Sequence, residues 1–160
     1  METPAESIID FVKQIGINVE FGKIDEEVIL PGILVTNGGL LIDMDKLKYP
    51  GDILHEAGHL AVMPKETRNA AHINVGNDSG EEMMAIAWSY AAAVYINLDI
   101  KILFHPDGYN GGAESLIDAF QNRDGIGVPM LQYLGMTLDA KNAQRRAIQP
   151  FPAMIKWLRD

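Results

Sequence analysis

The spacing of hydrophobic residues changes along the chain, and the first quarter contains one helical pattern followed by several strand-like ones. Apolar residues recur on one helical stripe over residues 4–15, which predicts an amphipathic helix. Apolar and polar residues then alternate over residues 17–24, which is typical of a half-buried strand. Further strand-like stretches follow at residues 28–30, 33–35 and 40–43. Pro31 indicates an edge strand or a bulge, and Asn37-Gly38-Gly39 indicates a hairpin turn.

The rest of the pattern is mainly helical. Residues 65–80 are polar and rich in Asn and Gly, which indicates a loop with room for one short strand at residues 70–75. Helices are predicted over residues 52–63, 80–98, 113–123 and 129–134, with a loop over 104–112 and a helical tail over 139–159 broken at Pro150 and Pro152. A helix, a small antiparallel sheet and further helices make an α+β fold, and we expect a single domain over residues 1–160.

Composition and charge narrow the classes of function. The chain has 160 residues, of which 48% are hydrophobic and 22% charged, as is ordinary for a globular protein. A formal net charge of −9 and the lack of any Lys/Arg-rich run argue against nucleic acid as a partner. Because the chain has no cysteine, any metal site must use histidine and carboxylate ligands.

The sequence carries no sign of a membrane span or a secretory signal. The longest apolar stretch, residues 83–96, is too short to cross a bilayer. The N-terminus is acidic and lacks the basic-then-apolar order of a signal peptide. These features predict a cytoplasmic protein that does not bind membranes, and the alternative is a mature fragment of a secreted protein.

Residues 55–59 read His-Glu-Ala-Gly-His, an HExxH motif inside the helix predicted over residues 52–63. Asp52 is the predicted N-cap of this helix and Pro64 its stop signal. Positions i and i+4 of a helix lie about 40° apart around its axis, so His55 and His59 would direct two imidazoles at one metal ion. Glu56 would lie beside that ion without binding it, where it can take a proton from an attacking water.

The alternative interpretation is that both histidines are ordinary half-buried residues and that Glu56 is solvated. Burying two imidazoles and a carboxylate together is costly unless a metal ion organises them, which favours the metal site. Gly58 lies within the motif and costs roughly 1 kcal/mol relative to Ala in a helix interior. We therefore expect another backbone to pack closely against Gly58.

A hydrolytic zinc site usually has three protein ligands and one open position. Glu81 and Glu82 begin the next predicted helix, so two carboxylates are available as the third ligand. Glu82 shares a helix face with smaller residues, whereas Glu81 shares one with Trp88, and this favours Glu82 over Glu81. Both carboxylates could instead complement the helix N-terminus only. His72 and Asp78 are weaker ligand candidates.

The sequence HEAGH, followed by a loop and a helix that opens with Glu and continues in small apolar residues, resembles the gluzincin branch of the zincin metallopeptidases. The preceding helix and strands also look like a minimal zincin core. The resemblance implies that His55, His59 and Glu82 bind Zn²⁺ and that Glu56 is the general base. Ile86 departs from it, because thermolysin-like members have an Asp at that position, and their supporting carboxylate must here come from elsewhere or is missing.

Motif and resemblance together predict a zinc-dependent hydrolase, a small metallopeptidase that cleaves a peptide or protein substrate. An extended substrate would pair with an edge strand at residues 33–35 or 40–43. The alternative is a zincin-fold metal-binding regulatory or interaction module without turnover.

A peptidase also needs a group that stabilises the developing oxyanion. His105 and Tyr109 are candidates because they lie in a Gly/Pro-containing loop, and such loops often carry function. His72, Tyr95 and Arg68 are alternatives. The sequence contains no phosphate-binding loop, nucleophile elbow or dinucleotide fingerprint.

Overall fold

The computed structural model describes residues 1–72, 78–122 and 125–160 of the chain. These residues form eight α-helices and a three-stranded sheet, which confirms the predicted α+β class. No helix among them is long and apolar enough to cross a membrane. The strands are β1 (Val19–Phe21), β2 (Ile33–Thr36) and β3 (Gly39–Ile42). The helices are α1 (Pro4–Gln14), α2 (Gly51–Val62), α3 (Lys65–Ala70), α4 (Ser79–Tyr95), α5 (Ile100–Leu103), α6 (Ala113–Asn122), α7 (Val128–Tyr133) and α8 (Ala140–Arg146), with a short 3-10 helix at Tyr109–Gly111.

The sheet is mixed, so the prediction of an antiparallel sheet was wrong. β2 and β3 form the predicted antiparallel hairpin, and the turn between them has Asn37 and Gly38 at positive φ, as a tight primed turn requires. β1 pairs with β3 in parallel, with Val19 opposite Leu40. The strand order is β1-β3-β2, so β3 is central and β2 lies at an edge of this three-stranded sheet.

The apolar stretch at residues 28–30 is not a strand, so the strand predicted there was wrong. The chain turns at Pro31-Gly32, where Gly32 has a φ of 80°. A Cβ on Gly32 would lie 2.9 Å from the carbonyl oxygen of Asp43, so the turn packs tightly on the segment after β3. The preceding residues therefore leave the sheet, and Ile29 is exposed.

Helix α2 carries the HExxH motif and ends before Pro64, as predicted. Its N-cap position is Pro50, so the prediction of Asp52 as N-cap was wrong. Asp52 lies in the first turn, and its carboxylate binds His105 instead of a backbone N–H of the helix. At the other end, the buried Arg68 side chain donates to the carbonyl oxygens of Leu60 (2.7 Å) and other residues near the end of α2. Both ends of the motif helix are thus fixed by side chains from other elements.

Helices α2 and α4 pack against each other through small residues, which brings the motif close to the start of α4. A Cβ on Gly58 would lie 2.9 Å from the carbonyl oxygen of Ala85, so the close backbone approach expected at Gly58 is confirmed. Replacing Gly58 by a larger residue would overpack this contact, and overpacking of a core typically costs about 1–3 kcal/mol of stability. Asp78 caps α4 by accepting a hydrogen bond from the Gly80 N–H (2.7 Å). This fixes the first turn of α4, where Glu81 and Glu82 lie.

The C-terminal tail returns across the helices. Trp157 packs edge-on against Phe11 of α1 and Trp88 of α4, with ring centroids 5.0 and 5.6 Å apart. The indole N–H of Trp88 donates to the carbonyl oxygen of Trp157 (2.9 Å). The tail contains one helix, α8, followed by irregular chain from Pro150 onward. Residues 73–75 of the short strand predicted over residues 70–75 lie outside the described residues.

Candidate metal centre

The two motif histidines and Glu82 converge between α2 and α4. The Nε2 atom of His55 lies 3.2 Å from one carboxylate oxygen of Glu82, and the Nε2 atom of His59 lies 2.6 Å from the other. One ligand atom from each of the three residues lies within 4.8 Å of the others. His59 is only 4% exposed, and His55 is also buried. Two imidazoles and one carboxylate on a small common centre suit a tetrahedral zinc site with one open position.

Glu81 and Glu82 have different places at this centre. Glu82 faces the Nε2 atoms of both histidines, whereas Glu81 lies behind His59, with its Oε1 2.9 Å from Nδ1 of that ring. A carboxylate on the second ring nitrogen fixes the orientation and the tautomer of a metal-binding histidine. The geometry therefore favours Glu82 as ligand and gives Glu81 the supporting role that the Ile86 position does not provide.

The electrostatics of the cluster reflect these contacts. Hydrogen bonds from His55 and His59 hold the pKa of the Glu82 carboxyl far below its usual range. Burial alone would lower the pKa of His59, but its hydrogen bonds to Glu82 and Glu81 raise the pKa overall. Because a metal-bound imidazole must be neutral at the coordinating nitrogen, a metal ion would compete with this proton.

Glu56 lies on the same helix and lines the same cavity without joining the cluster of ligand atoms. Burial raises the pKa of its carboxyl, and the nearby imidazoles of His55 and His59 oppose that rise. A carboxylate with a raised pKa is a better proton acceptor than an ordinary one. The position and the environment of Glu56 therefore suit a general base next to a metal ion.

The cavity in front of the cluster has a volume of about 400 Å³, and its lining has an apolar and a polar part. The apolar part comes from residues 28–31 together with Ile33 at the start of β2. The polar part comes mainly from α2 and from the loop after α5. It comprises Tyr49, Asp52, His55, Glu56, His59, Glu82, His105, Asp107, Gly108, Tyr109 and Asn110.

The two loop residues predicted as oxyanion candidates both line the cavity. His105 is buried, and its Nε2 lies 2.7 Å from Oδ1 of the buried Asp52. Tyr109 packs edge-on against His55, with ring centroids 5.5 Å apart, and its hydroxyl is buried with no partner among the described residues. Tyr109 also has a φ of 57°, which is uncommon for a bulky residue and is typical of strained functional loops.

The structure separates the other candidates from this centre. Arg68 binds the end of α2, Tyr95 is exposed and packs against Phe11 and Trp157, and Asp78 caps α4. His72 is exposed and does not belong to the cluster of ligand atoms found among the described residues.

Sequence reasoning missed the supporting contacts of Glu81 and Asp52. Asp52 precedes His55 by three residues and Glu56 by four, so helical phase alone already placed all three on one face. The contact between His105 and Asp52 joins residues far apart in the chain, and no sequence pattern indicated it.

The chain was compared with known protein families, curated proteins and solved structures, and no match was found in any of the three. The functional assignment therefore depends on the chemistry of the centre itself.

Replacing the two glutamates separately should distinguish their roles. Glu82→Gln should weaken zinc binding strongly, because it removes a charged ligand. Glu81→Gln should weaken it by roughly 10- to 100-fold, the usual effect of losing a partner of a metal-binding histidine. Competition with a chromogenic zinc chelator measures both affinities. Zinc affinity that falls more in the Glu81 variant than in the Glu82 variant would contradict this assignment.

Proposed function

We propose that this protein is a zinc-dependent metallopeptidase with a minimal zincin-like fold. The observation that carries the proposal is the convergence of His55, His59 and Glu82 on one centre, with Glu56 beside them in the same cavity. Donor type alone does not select one transition metal, but two imidazoles and a carboxylate suit zinc well. Two histidines with a purely structural role would not need a nearby general base, a supporting carboxylate on one ring and an open cavity.

Each side chain has a definite task in peptide hydrolysis. A bound zinc ion would polarise the scissile carbonyl and lower the pKa of a coordinated water. Glu56 takes one proton from the attacking water as the new C–O bond forms. When the C–N bond breaks, Glu56 returns that proton to the leaving nitrogen, and the products are a carboxylic acid and an amine. Glu81 keeps His59 oriented throughout.

Tyr109 is the best-placed donor for the oxygen that becomes negative during attack. Burial raises the pKa of its phenol far above the usual value, with the charges of Asp52 and Glu82 adding to that rise. The hydroxyl therefore stays protonated at physiological pH and can donate a hydrogen bond. The hydroxyl has no partner among the described residues, so no other group already uses that hydrogen bond.

A polypeptide suits the shape of the site. Ile33, the first residue of β2, lines the cavity, and β2 is an edge of the three-stranded sheet, whereas β3 is central. Because Ile33, Leu34 and Val35 are each no more than 4% exposed, an extended substrate would add main-chain hydrogen bonds only at the Ile33 end of β2, where the strand meets the cavity. Pro31, which cannot donate, precedes β2 and lies outside its pairing segment.

Removal of the metal provides the test of this function. The zinc-loaded protein should cleave members of a mixed peptide library, as read by mass spectrometry. Treatment with a chelator should stop this cleavage, and about one equivalent of zinc per chain should restore it. Cleavage that continues at the same rate after complete removal of zinc would refute the proposal.

A further inference from the structure

The cavity is rich in negative charge. Four carboxylates line it, from Asp52, Glu56, Glu82 and Asp107, and no Lys or Arg belongs to its lining among the described residues. A divalent cation at the histidines would offset part of this negative charge. The potential inside the cavity therefore favours a cationic group on a substrate and disfavours an anionic one.

Asp107 differs from the other three carboxylates because it is free to meet a substrate charge. Glu56 and Glu82 belong to the metal centre, and Asp52 is buried against His105. Asp107 is exposed, and its Oδ2 accepts a hydrogen bond from the Tyr49 hydroxyl (2.8 Å), whereas Oδ1 has no hydrogen-bond partner among the described residues.

A series of contacts that runs from the surface to the buried His105 holds Asp107 in place. Tyr49 stacks on the ring of His105, with centroids 4.0 Å apart and planes 7° from parallel. His105 is only 7% exposed and is fixed by Asp52. A Cβ on Gly108 would lie 2.9 Å from Cε1 of His105, so the loop closes on the ring edge where only glycine fits. Fixing a carboxylate before binding lowers the entropy cost of using it, which is characteristic of a recognition group.

A further observation indicates what binds there. The cavity lining also includes the apolar residues 28–31, and Ile29 is 89% exposed. An occupant that matches both the acidic and the apolar parts of the lining carries an apolar side chain and a cationic group on one extended backbone.

We propose that the cavity selects polypeptide segments in which an apolar residue lies near a cationic group, and that Asp107, positioned by Tyr49 and His105, binds that cationic group. This substrate class depends on the proposed peptidase function. A free C-terminal carboxylate has no cationic partner in the cavity lining, so such a terminus is a poor occupant. The cationic group can come from a Lys or Arg side chain or from a chain N-terminus.

The test measures binding separately from turnover. Capped hexapeptides with a central Leu and with Lys, Gln or Glu at each other position are titrated into zinc-loaded Glu56→Gln protein by calorimetry. An uncapped peptide with a free N-terminus and no Lys distinguishes a terminal ammonium from a side chain. The best Lys peptide should bind about fivefold more tightly than its Gln counterpart, the usual upper effect of one exposed ion pair, and the Glu peptide should bind more weakly still.

Two variants and one control identify the group responsible. Asp107→Asn should remove the preference for Lys over Gln, and Tyr49→Phe should reduce it. Asp45→Asn removes an exposed carboxylate outside the cavity and should leave the preference intact. Equal binding of Lys and Glu peptides, a preference that survives Asp107→Asn, or no binding of any peptide would overturn the proposal. Charge-selective binding to the Glu56→Gln protein, together with a wild type that cleaves nothing, would instead refute only the peptidase function.

Discussion

Replacing Glu56 by Gln should lower peptide hydrolysis by roughly 10²- to 10⁴-fold, the usual contribution of a positioned acid–base group. Gln has nearly the size of Glu and keeps hydrogen-bonding capacity, but it cannot accept the proton of the attacking water. Zinc content and fold should be unchanged, because His55, His59 and Glu82 are all retained. The measurement is cleavage of the peptide library by equal amounts of zinc-loaded wild type and variant.

A matched control separates the role of Glu56 from a general loss of charge. Glu66 is exposed on α3, outside the cavity lining, so Glu66→Gln should keep full activity. If the wild type cleaves peptides and the Glu56 variant cleaves them at the same rate, Glu56 is not the general base. If neither protein cleaves any peptide, a metal-binding module without turnover becomes the better account.

Replacing His59 by Ala should abolish zinc binding. The change removes one of the two imidazoles of the proposed zinc site and leaves Glu81 and Glu82 without the ring that both contact. A site with only three protein donors should lose its zinc affinity when one donor is removed. The measurement is zinc per chain after dialysis against trace zinc, with circular dichroism to verify the fold.

The histidine control is His72→Ala, because His72 is exposed and lies outside the ligand cluster of the described residues. That variant should bind zinc like the wild type. Unchanged zinc content in a folded His59→Ala protein would remove the basis of the metal-site assignment.

The parts of the fold that follow local rules were predictable from the sequence. Helix α2 follows from its apolar pattern and its flanking prolines, and the close approach at Gly58 follows from the cost of glycine inside a helix. The β2–β3 hairpin follows from the Asn37-Gly38 turn signal. Helical phase also favoured Glu82 over Glu81 as the residue facing both histidines.

The features that were missed depend on contacts between distant residues. The parallel pairing of β1 with β3 is not encoded in the alternation of either strand, since alternation gives the faces of a strand and not its partner. The apolar run at residues 28–30 looks like a strand in sequence but forms a cavity wall. The short helices α3 and α5 were also missed, because tertiary contacts such as those of Arg68 decide such short elements.

The most direct test of the central claim is zinc K-edge X-ray absorption on wild-type protein, with the zinc content measured on the same sample. We expect close to one zinc per chain, with two imidazole nitrogens and carboxylate or water oxygens at about 2.0–2.2 Å. Protein that takes up no zinc when supplied with it, or bound zinc whose spectrum shows no imidazole ligands, would contradict the claim that His55 and His59 form a metal centre.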